Sequence, residues 1–203
     1  MNNLDHNKFF CPKKILFLGY GKEKTKLISE LKKNNCKVKN KSTKAVLSDL
    51  DNIDLVISYG YRHILKSSFI NHKDIPIINL HISYLPWNRG AHPNFWSFYD
   101  KTPIGITIHL VDEGLDTGPI IFQEIIKLDD KENTFEESYA MLNKELENLF
   151  LKNIGVIIKG KFTTNPQKSK GTYHKSSDLP KNFRGWEYNI AEEINYLHEL
   201  NKK

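Results

Sequence analysis

The chain has 203 residues, 39% of them hydrophobic, which is enough for one core and fits one domain or one domain with a small appendage. Its 30 Lys and Arg against 24 Asp and Glu give a net charge of +6, and the lysines are scattered rather than gathered in one block. Such scatter is typical of a solvated surface, and an anionic partner, either a phosphate-bearing small molecule or nucleic acid, is the alternative.

The N-terminal sequence, the apolar runs and the two cysteines bear on where the protein is expected to be located. The first twelve residues are polar, and no apolar run has the length of a signal peptide or a bilayer span. Cys11 and Cys36 lie outside any CxxC or Cys/His metal pattern, so reduced thiols are favoured over a disulfide. We therefore expect a cytoplasmic protein with no membrane partner.

The first half of the chain predicts strands alternating with helices. An apolar strand over 15–18 is followed by a glycine turn and a helix whose apolar positions have helical spacing: Leu27, Ile28 and Leu31. Gly19-Tyr20-Gly21 lacks the third glycine of a dinucleotide fingerprint, so NAD binding is disfavoured. Residues 54–60 and 75–81 each read as a buried strand.

The second half continues with strands over 103–111 and 118–128 and then a long helix. Thr134 and Glu137 predict a capping box at the start of that helix. The helical apolar stripe that follows is assigned to core packing: Tyr139, Leu142, Leu146, Leu149, Phe150, Ile154 and Ile157. After Gly160 a polar, loop-rich segment leads to a short helix around 191–200.

This order of elements predicts an α/β fold, an open, mostly parallel twisted sheet of Rossmann type flanked by helices. We divide the chain into an N-terminal extension (1–12), a catalytic domain (13–160) and a tail packed on the same domain (161–203).

Three polar residues are expected to meet at one edge of this sheet. Asn79 and His81 end a strand and, being two apart, point to the same side, while Asp116 lies in a glycine-punctuated loop that can return to the same crevice. An imidazole can move a proton near neutral pH, a carboxylate can orient and charge it, and an amide can stabilise an oxyanion. No Ser or Cys nucleophile motif is visible, which favours direct transfer through a tetrahedral intermediate.

Simpler interpretations exist for each residue. A lone His after a strand is more often structural, and Asp-Thr-Gly at 116–118 is usually a turn; an aspartic protease would need a second such motif. His81, His92 and His109 match no metal-ligand spacing, so we predict no metal.

Together, "NLHISYLPWNRGAHPNFWSFYDKTPIGITIHLVDEGLDTGPIIFQ" resembles the core of the folate-dependent formyltransferase family. The resemblance covers about 54–128 and combines an Asn-x-His strand end, a Pro-containing loop with Arg-Gly, a Gly-x-Thr-x-His strand and an Asp-Thr-Gly loop. It implies a Rossmann-like formyltransferase that uses N10-formyltetrahydrofolate as co-substrate, with Asn79, His81 and Asp116 as its catalytic residues.

The same resemblance implies a folate pocket. "YRHIL" at 61–65 is similar to the family's pterin-facing loop, which contacts the pterin largely through its backbone, and Tyr84 replaces the usual first Leu of the Pro-containing loop. The parts of the chain assigned to this pocket are Arg62, His63, Ile64, Leu65, Ser83, Leu85, Pro86 and the 112–116 loop, in particular Asp112 and Glu113.

Three branches of the family compete for the acceptor amine. The purine branch carries a phosphate-binding loop after the first strand, where this chain has "GYGKEKTK". The initiator-tRNA branch needs a further tRNA-binding domain, for which we see only one helix and a short tail. The branch that formylates nucleotide-linked amino sugars of lipopolysaccharide resembles this chain in "PWNRGAHPNFWS", "TPIGITIH" and "GTYHKSSDL".

We favour the sugar branch and expect a homodimer at the family level. The residues assigned to the acceptor side are Trp87, Asn88, Arg89, Gly90, Asn94, Tyr173, His174 and Lys175. For Arg89, bracing of its own loop is an equal alternative to contact with the acceptor. For Trp96 and Phe98, packing of the helix is the preferred role. A non-catalytic folate- or nucleotide-binding module remains open, and a nucleic-acid-binding domain is disfavoured because no aromatic-basic RNA motif is present.

Overall fold

The structure is a computed structural model that describes residues 14–128, 133–200 and 202. Cys11 and the proposed N-terminal extension lie outside the described residues. Across the described ranges, no helix is both long and apolar enough to cross a membrane. The chain divides into two compact units, and the division falls within a strand, just before Asn79.

The first unit comprises the described residues up to Ile78, together with 149–163. Its central strand pairs in parallel with one strand on each side, with Ile15 opposite Val38 and Leu55. The predicted first strand, the 54–60 strand and the first helix are confirmed. The elements are β1 (Lys14–Gly19), α1 (Leu27–Lys33), β2 (Lys37–Lys41), a 3-10 turn (Leu47–Leu50), β3 (Leu55–Tyr59) and α2 (Ser67–Ile70).

Strand β2 was not predicted, because its sequence, KVKNK, has a single apolar residue. Two of its lysines bind the buried Asp49 carboxylate: Lys39 Nζ lies 2.9 Å from Oδ1 and Lys41 Nζ 2.6 Å from Oδ2. Burial raises the pKa of Asp49, but hydrogen bonds from Lys41, the Val46 amide and Lys39 outweigh it and lower the pKa to about 2. Lysines therefore form a structural ion-pair cluster on this strand.

The second unit comprises 79–148 and the described residues from Thr164 onward. The strands predicted over 75–81, 103–111 and 118–128 are present, as is the final helix. The elements are β4 (Ile77–His81), which straddles the division, β5 (Arg89–Gly90), α3 (Pro93–Tyr99), β6 (Gly105–Leu110), β7 (Ile120–Ile125), α4 (Phe135–Lys152), α5 (Ile154–Ile158, in the first unit), β8 (Tyr173–His174), a second 3-10 turn (Ser176–Asp178) and α6 (Ile190–Leu200).

The strands form a six-stranded sheet in the order β2-β1-β3-β4-β6-β7 and a two-stranded sheet of β5 and β8. The pairs of β1 are parallel, whereas β7 runs antiparallel to β6 with Ile125 opposite Gly105. The order steps outward from β1 in both directions, as parallel crossovers require. This confirms the predicted α/β fold.

Helix α4 begins with the predicted capping box: Thr134 N donates to Glu137 Oε2 at 2.9 Å, and Glu137 N donates to Thr134 Oγ1 at 3.1 Å. Most of the predicted stripe is buried, but Tyr139 is exposed, so its assignment to the core is wrong. The helix also ends at Lys152 rather than continuing through Ile157, which belongs to the separate α5.

An aromatic cluster forms the core of the second unit around α3 and α6. Phe95, Trp96 and Phe98 are buried against Phe135 and the apolar face of α6, with the Phe95 and Phe135 rings 5.5 Å apart. This confirms helix packing as the role of Trp96 and Phe98. The cluster fixes α3, which directly follows the loops of the candidate site.

Candidate active site

The structure brings the three predicted catalytic residues together at the end of β4. Asn79 Nδ2 lies 3.2 Å from Asp116 Oδ1, and His81 Nδ1 lies 3.9 Å from Asp116 Oδ2. Asn79 and His81 reach the same place because they are two apart on one strand. Asp116 reaches it with a left-handed backbone (φ 53°), a conformation that Asp tolerates better than most residues.

The hydrogen bonds of His81 define which ring nitrogen can act as a base. Nε2 lies 3.2 Å from the carbonyl oxygen of Asn88. A carbonyl only accepts, so Nε2 carries a proton, and the lone pair of the neutral ring is on Nδ1. That nitrogen faces the Asp116 carboxylate, which stabilises the ring once Nδ1 is protonated. His81 is 8% exposed as a residue, so this interaction is weakly screened.

His109 is a fourth member of the site; the sequence placed it in the Gly-x-Thr-x-His strand of the family resemblance and rejected it as a metal ligand, but gave it no role in the site. Its Nδ1 donates to the Leu110 carbonyl at 2.8 Å, which leaves Nε2 of the neutral ring to accept from Asn79 Nδ2 at 3.2 Å. Nε2 also lies 3.5 Å from Asp116 Oδ1. The available signal was its position in the strand: His109 alternates with the apolar residues Ile106, Ile108 and Leu110, which predicts a polar side chain on one face of β6.

Asp116 is held in its charged form by its neighbours. Burial raises the pKa of its carboxyl group, but the charges that His81 and His109 carry when protonated and the hydrogen bond from Gly90 N outweigh burial and hold the pKa well below its usual range. The Gly90 amide donates to Oδ2 at 2.9 Å. These neighbours therefore favour the ionised form of Asp116, whose carboxylate faces the imidazole of His81.

Thr107 holds the loop after β4 in place through hydrogen bonds. The sequence placed Thr107 in the Gly-x-Thr-x-His strand but gave it no role in the site. Its hydroxyl donates to Ser83 O at 2.6 Å and accepts from Leu85 N at 3.2 Å, and Gln123 Nε2 donates to Leu85 O at 2.7 Å. The side chains of Ser83 and Leu85 are themselves buried. Both residues are buried as a whole, and their backbone groups are bonded to Thr107 and Gln123, so the structure exposes neither of these two predicted folate residues to a ligand, while Pro86 is half-buried.

The other predicted folate residues lie in two loops that the structure describes separately. In the first unit, Arg62, His63 and Ile64 are exposed after β3, and Ile64 is 79% exposed. In the second unit, Asp112 Oδ1 accepts from the Thr117 hydroxyl at 2.6 Å, and Glu113 is exposed. Asp112 thereby braces the loop that carries Asp116.

Two of the residues assigned to the acceptor have a different role. The Asn88 side chain is fully buried and bonds the hydroxyls of Thr102, Ser97 and Thr172, while Asn94 bonds Phe135 O and the Ser138 hydroxyl. The prediction that these two side chains contact the acceptor is therefore corrected: their polar atoms are paired within the protein, and they brace the loop and α3.

The remaining acceptor residues lie on or beside the two-stranded sheet of β5 and β8. Arg89 and Gly90 pair with Tyr173 and His174. Tyr173 is half-exposed, and Lys175 is exposed. His174 instead stacks on Trp96 with ring centroids 3.8 Å apart, and its Nε2 lies 2.9 Å from Asp100 Oδ2. The pairing of the tail with the loop after β4 was not predicted.

Arg89 braces its loop, as the alternative assignment held. Its Nε donates to Gln167 Oε1 at 3.1 Å and its Nη1 to Lys170 O at 3.0 Å. Gln167 lies in the tail and was not singled out from the sequence.

An open α/β sheet with an amide, an imidazole and a buried carboxylate at a strand end can support acid-base and oxyanion chemistry. Residues 18–154 match the family model described as formyl transferase. The chain belongs to the formyl transferase family.

Known formyltransferases with different acceptors are similar to this chain. The crystal structure of the formyltransferase PseJ from Anoxybacillus kamchatkensis, in complex with UDP-4,6-dideoxy-4-formamido-L-AltNAc and tetrahydrofolate, is 38% identical and covers 89% of this chain and 97% of that chain, with a TM-score of 0.82. Methionyl-tRNA formyltransferase of Thermodesulfovibrio yellowstonii is 37% identical over 59% of this chain and 38% of its own length. A dTDP-4-amino-4,6-dideoxyglucose formyltransferase of Mycobacterium bovis is 27% identical over 75% of this chain and 63% of its own length. The chain thus spans less than two thirds of either curated relative.

Proposed function

We propose that this chain is an N-formyltransferase that moves the formyl group of N10-formyltetrahydrofolate to the amine of a nucleotide-linked amino sugar of the kind used in lipopolysaccharide. The observation that carries the proposal is the cluster of Asn79, His81 and Asp116, with a protonatable Nδ1 facing a buried carboxylate at 3.9 Å. Binding alone would not need a base, a carboxylate and an amide in one place.

The reaction needs only these groups. The acceptor amine attacks the formyl carbon of the donor, a C–N bond forms, and the carbonyl oxygen becomes an oxyanion. His81 Nδ1 takes the proton that the attacking nitrogen loses and returns it to N10 as the C–N10 bond breaks, which yields the formamide and tetrahydrofolate. Asp116 stabilises the imidazolium that exists between these two steps.

Asn79 requires one exchange of hydrogen bonds to serve the oxyanion. Both amide hydrogens of its Nδ2 are directed at protein acceptors, Asp116 Oδ1 and His109 Nε2, at 3.2 Å each. Bonds of this length are at the long end of the usual range, so the exchange of one for an oxyanion is favourable. We assign the exchanged bond to His109, because the charged Asp116 is the stronger acceptor.

A sugar acceptor is supported by the closeness of the similarity. Aligned by structure, PseJ covers 89% of this chain with a TM-score of 0.82 and 38% identity, whereas a methionyl-tRNA formyltransferase from Clostridium thermocellum covers 84% of this chain with a TM-score of 0.63 and 18% identity. The tail that forms β8 and carries Gln167 is packed against Arg89 and Gly90, beside the proposed reaction centre. Methionyl-tRNA is the second candidate acceptor, because identity to the methionyl-tRNA formyltransferase of Thermodesulfovibrio yellowstonii is nearly as high, 37% against 38%.

The test is an acceptor panel. Purified protein and 10-formyltetrahydrofolate are incubated with a UDP-linked 4-amino-4,6-dideoxy sugar, a dTDP-linked 4-amino-4,6-dideoxy sugar, glycinamide ribonucleotide and methionyl-tRNA, and mass spectrometry detects the added carbonyl. We expect one of the sugar nucleotides to be formylated. Formylation of methionyl-tRNA alone would select the second candidate, and folate binding without any formylated product would identify a non-catalytic module. His81→Ala serves as the inactive control.

A further inference from the structure

Gln167 is a bridge between the two loops that meet at the candidate site. Its Nε2 donates to the carbonyl oxygens of Asp116 and Gly118 at 2.8 Å each, and its Oε1 accepts from Arg89 Nε at 3.1 Å. It lies beyond residue 154, where the match to the family model ends. Both N–H groups and both oxygen lone pairs of the Gln167 side-chain amide are therefore used in hydrogen bonds to these two loops.

The conformation of Asp116 explains why such a bridge is needed. Its φ of 53° is in the left-handed region, which costs a side-chain-bearing residue more than an extended or helical backbone does. That conformation directs the carboxylate toward Asn79 and His81. A donor on the Asp116 carbonyl and another on the Gly118 carbonyl, two residues further on, fix both sides of the turn, so the carboxylate is aimed by its backbone.

The bridge is itself anchored on both sides. The tail forms an antiparallel bridge with β7, in which Ile120 N donates to Asn165 O and Asn165 N to Ile120 O at 2.8 Å each. On the other side, the guanidinium of Arg89 grips Gln167 Oε1 through two nitrogens. The neighbouring Gly90 N donates to Asp116 Oδ2 at 2.9 Å. The adjacent residues Arg89 and Gly90 therefore hold Asp116 in two ways: Arg89 holds its backbone through Gln167, and Gly90 bonds its carboxylate.

We infer that Gln167 is a positioning residue for the transfer reaction, which holds the Asp116 carboxylate at the distance at which it stabilises protonated His81. This inference rests on the proposed function for its kinetic consequence. Its structural consequence, a displaced carboxylate when Gln167 is replaced, can be measured without turnover.

The test compares Gln167→Leu, which removes every hydrogen bond of the bridge, with Gln167→Glu, which keeps the acceptor for Arg89 but removes both donors to the turn. Lys168→Leu, at the exposed neighbouring position, is the matched control. The amide proton of Gly90 is followed by NMR, because an amide bonded to a carboxylate resonates at low field. Kinetics on the formylated acceptor and thermal unfolding complete the set.

We expect both Gln167 variants to move the Gly90 amide resonance upfield and to lower kcat by between about 10-fold and 100-fold, with smaller changes in KM for either substrate. Lys168→Leu leaves both unchanged. An unchanged Gly90 resonance in a folded variant overturns the inference, whatever the rate, and so does an unchanged kcat in an active enzyme. If Gln167→Leu does not fold, Gln167→Glu decides. If the wild-type protein formylates no acceptor, the proposed function fails while the Gly90 measurement still decides this inference.

Discussion

Replacing Asp116 by asparagine is the sharpest test of the proposed chemistry. Asparagine has nearly the same size and also tolerates a φ of 53°, so the turn is preserved while the charge is lost. The carboxylate lies 3.9 Å from His81 Nδ1. Two unit charges at that distance attract by roughly 4 kcal/mol at an effective dielectric constant of about 20.

This attraction exists only while His81 is protonated, so Asp116 stabilises the intermediate in which His81 carries the transferred proton. At about 1.4 kcal/mol for each factor of ten, the loss of this attraction lowers kcat by roughly three orders of magnitude. KM for the folate donor changes much less, because Asp116 is assigned to the reaction and not to the pterin.

The assay is steady-state formylation of the acceptor that the panel identifies, followed by mass spectrometry of the product. Asp54→Asn provides a matched control: it also removes a carboxylate, one that accepts a hydrogen bond from Lys14 N at 2.9 Å, outside the site. Circular dichroism establishes that both variants are folded. A loss of less than tenfold in kcat for a folded Asp116→Asn protein would refute the assignment of Asp116 as the group that stabilises the imidazolium.

Three further predictions concern the scaffold. Arg184→Leu leaves the fully buried Glu193 carboxylate without its 2.6 Å side-chain partner, so we expect the free energy of unfolding in urea to fall, and no measurable fall would contradict a structural role. The pKa of Asp49 is depressed to about 2 when folded, so its contribution is complete above the unfolded value near 4 and is lost as the pH falls toward 2; Asp49→Asn should flatten acid unfolding curves in that window. Gly90→Ala places a Cβ 2.3 Å from the carbonyl oxygen of His174, so β5 and β8 must separate, and we expect a lower melting temperature together with a lower kcat; an unchanged kcat would show that the sheet does not support the site.

The sequence was most informative where a simple geometric rule applied. Asn79 and His81 are separated by two positions on an apolar strand, and the carboxyl ends of parallel strands share one edge of the sheet, so their convergence with Asp116 followed from the pattern. The capping box at Thr134 was visible for the same reason, since it depends on residues three apart.

The contacts that were missed depend on distances along the chain that no local pattern encodes. Gln167 lies 51 residues from Asp116 and 78 from Arg89. Strand β2 was missed because burial, the usual signal, is weak there: lysines suit a strand that flanks the sheet, where they discourage further pairing. Asn88 was assigned to the acceptor because polar residues in loops often contact ligands. Its side chain instead donates to the hydroxyls of Ser97 and Thr102 and so fixes the loop.

Arg89 and Gly90 contact both the loop that carries Asp116 and the strand of Tyr173 and His174, and this shared contact affects acceptor specificity. Gly90 N bonds the Asp116 carboxylate, Arg89 holds Gln167, and the same two residues pair with Tyr173 and His174, which we propose contact the acceptor. A substitution in this two-stranded sheet therefore acts on the position of the carboxylate as well as on the acceptor. Because packed elements transmit strain instead of absorbing it, substitutions of His174, whose ring stacks on Trp96, should lower kcat even for acceptors that bind well. A variant of Tyr173, whose side chain is half-exposed, should separate the two effects, since removal of its ring leaves the backbone pairing intact and so changes KM for the acceptor with little change in kcat.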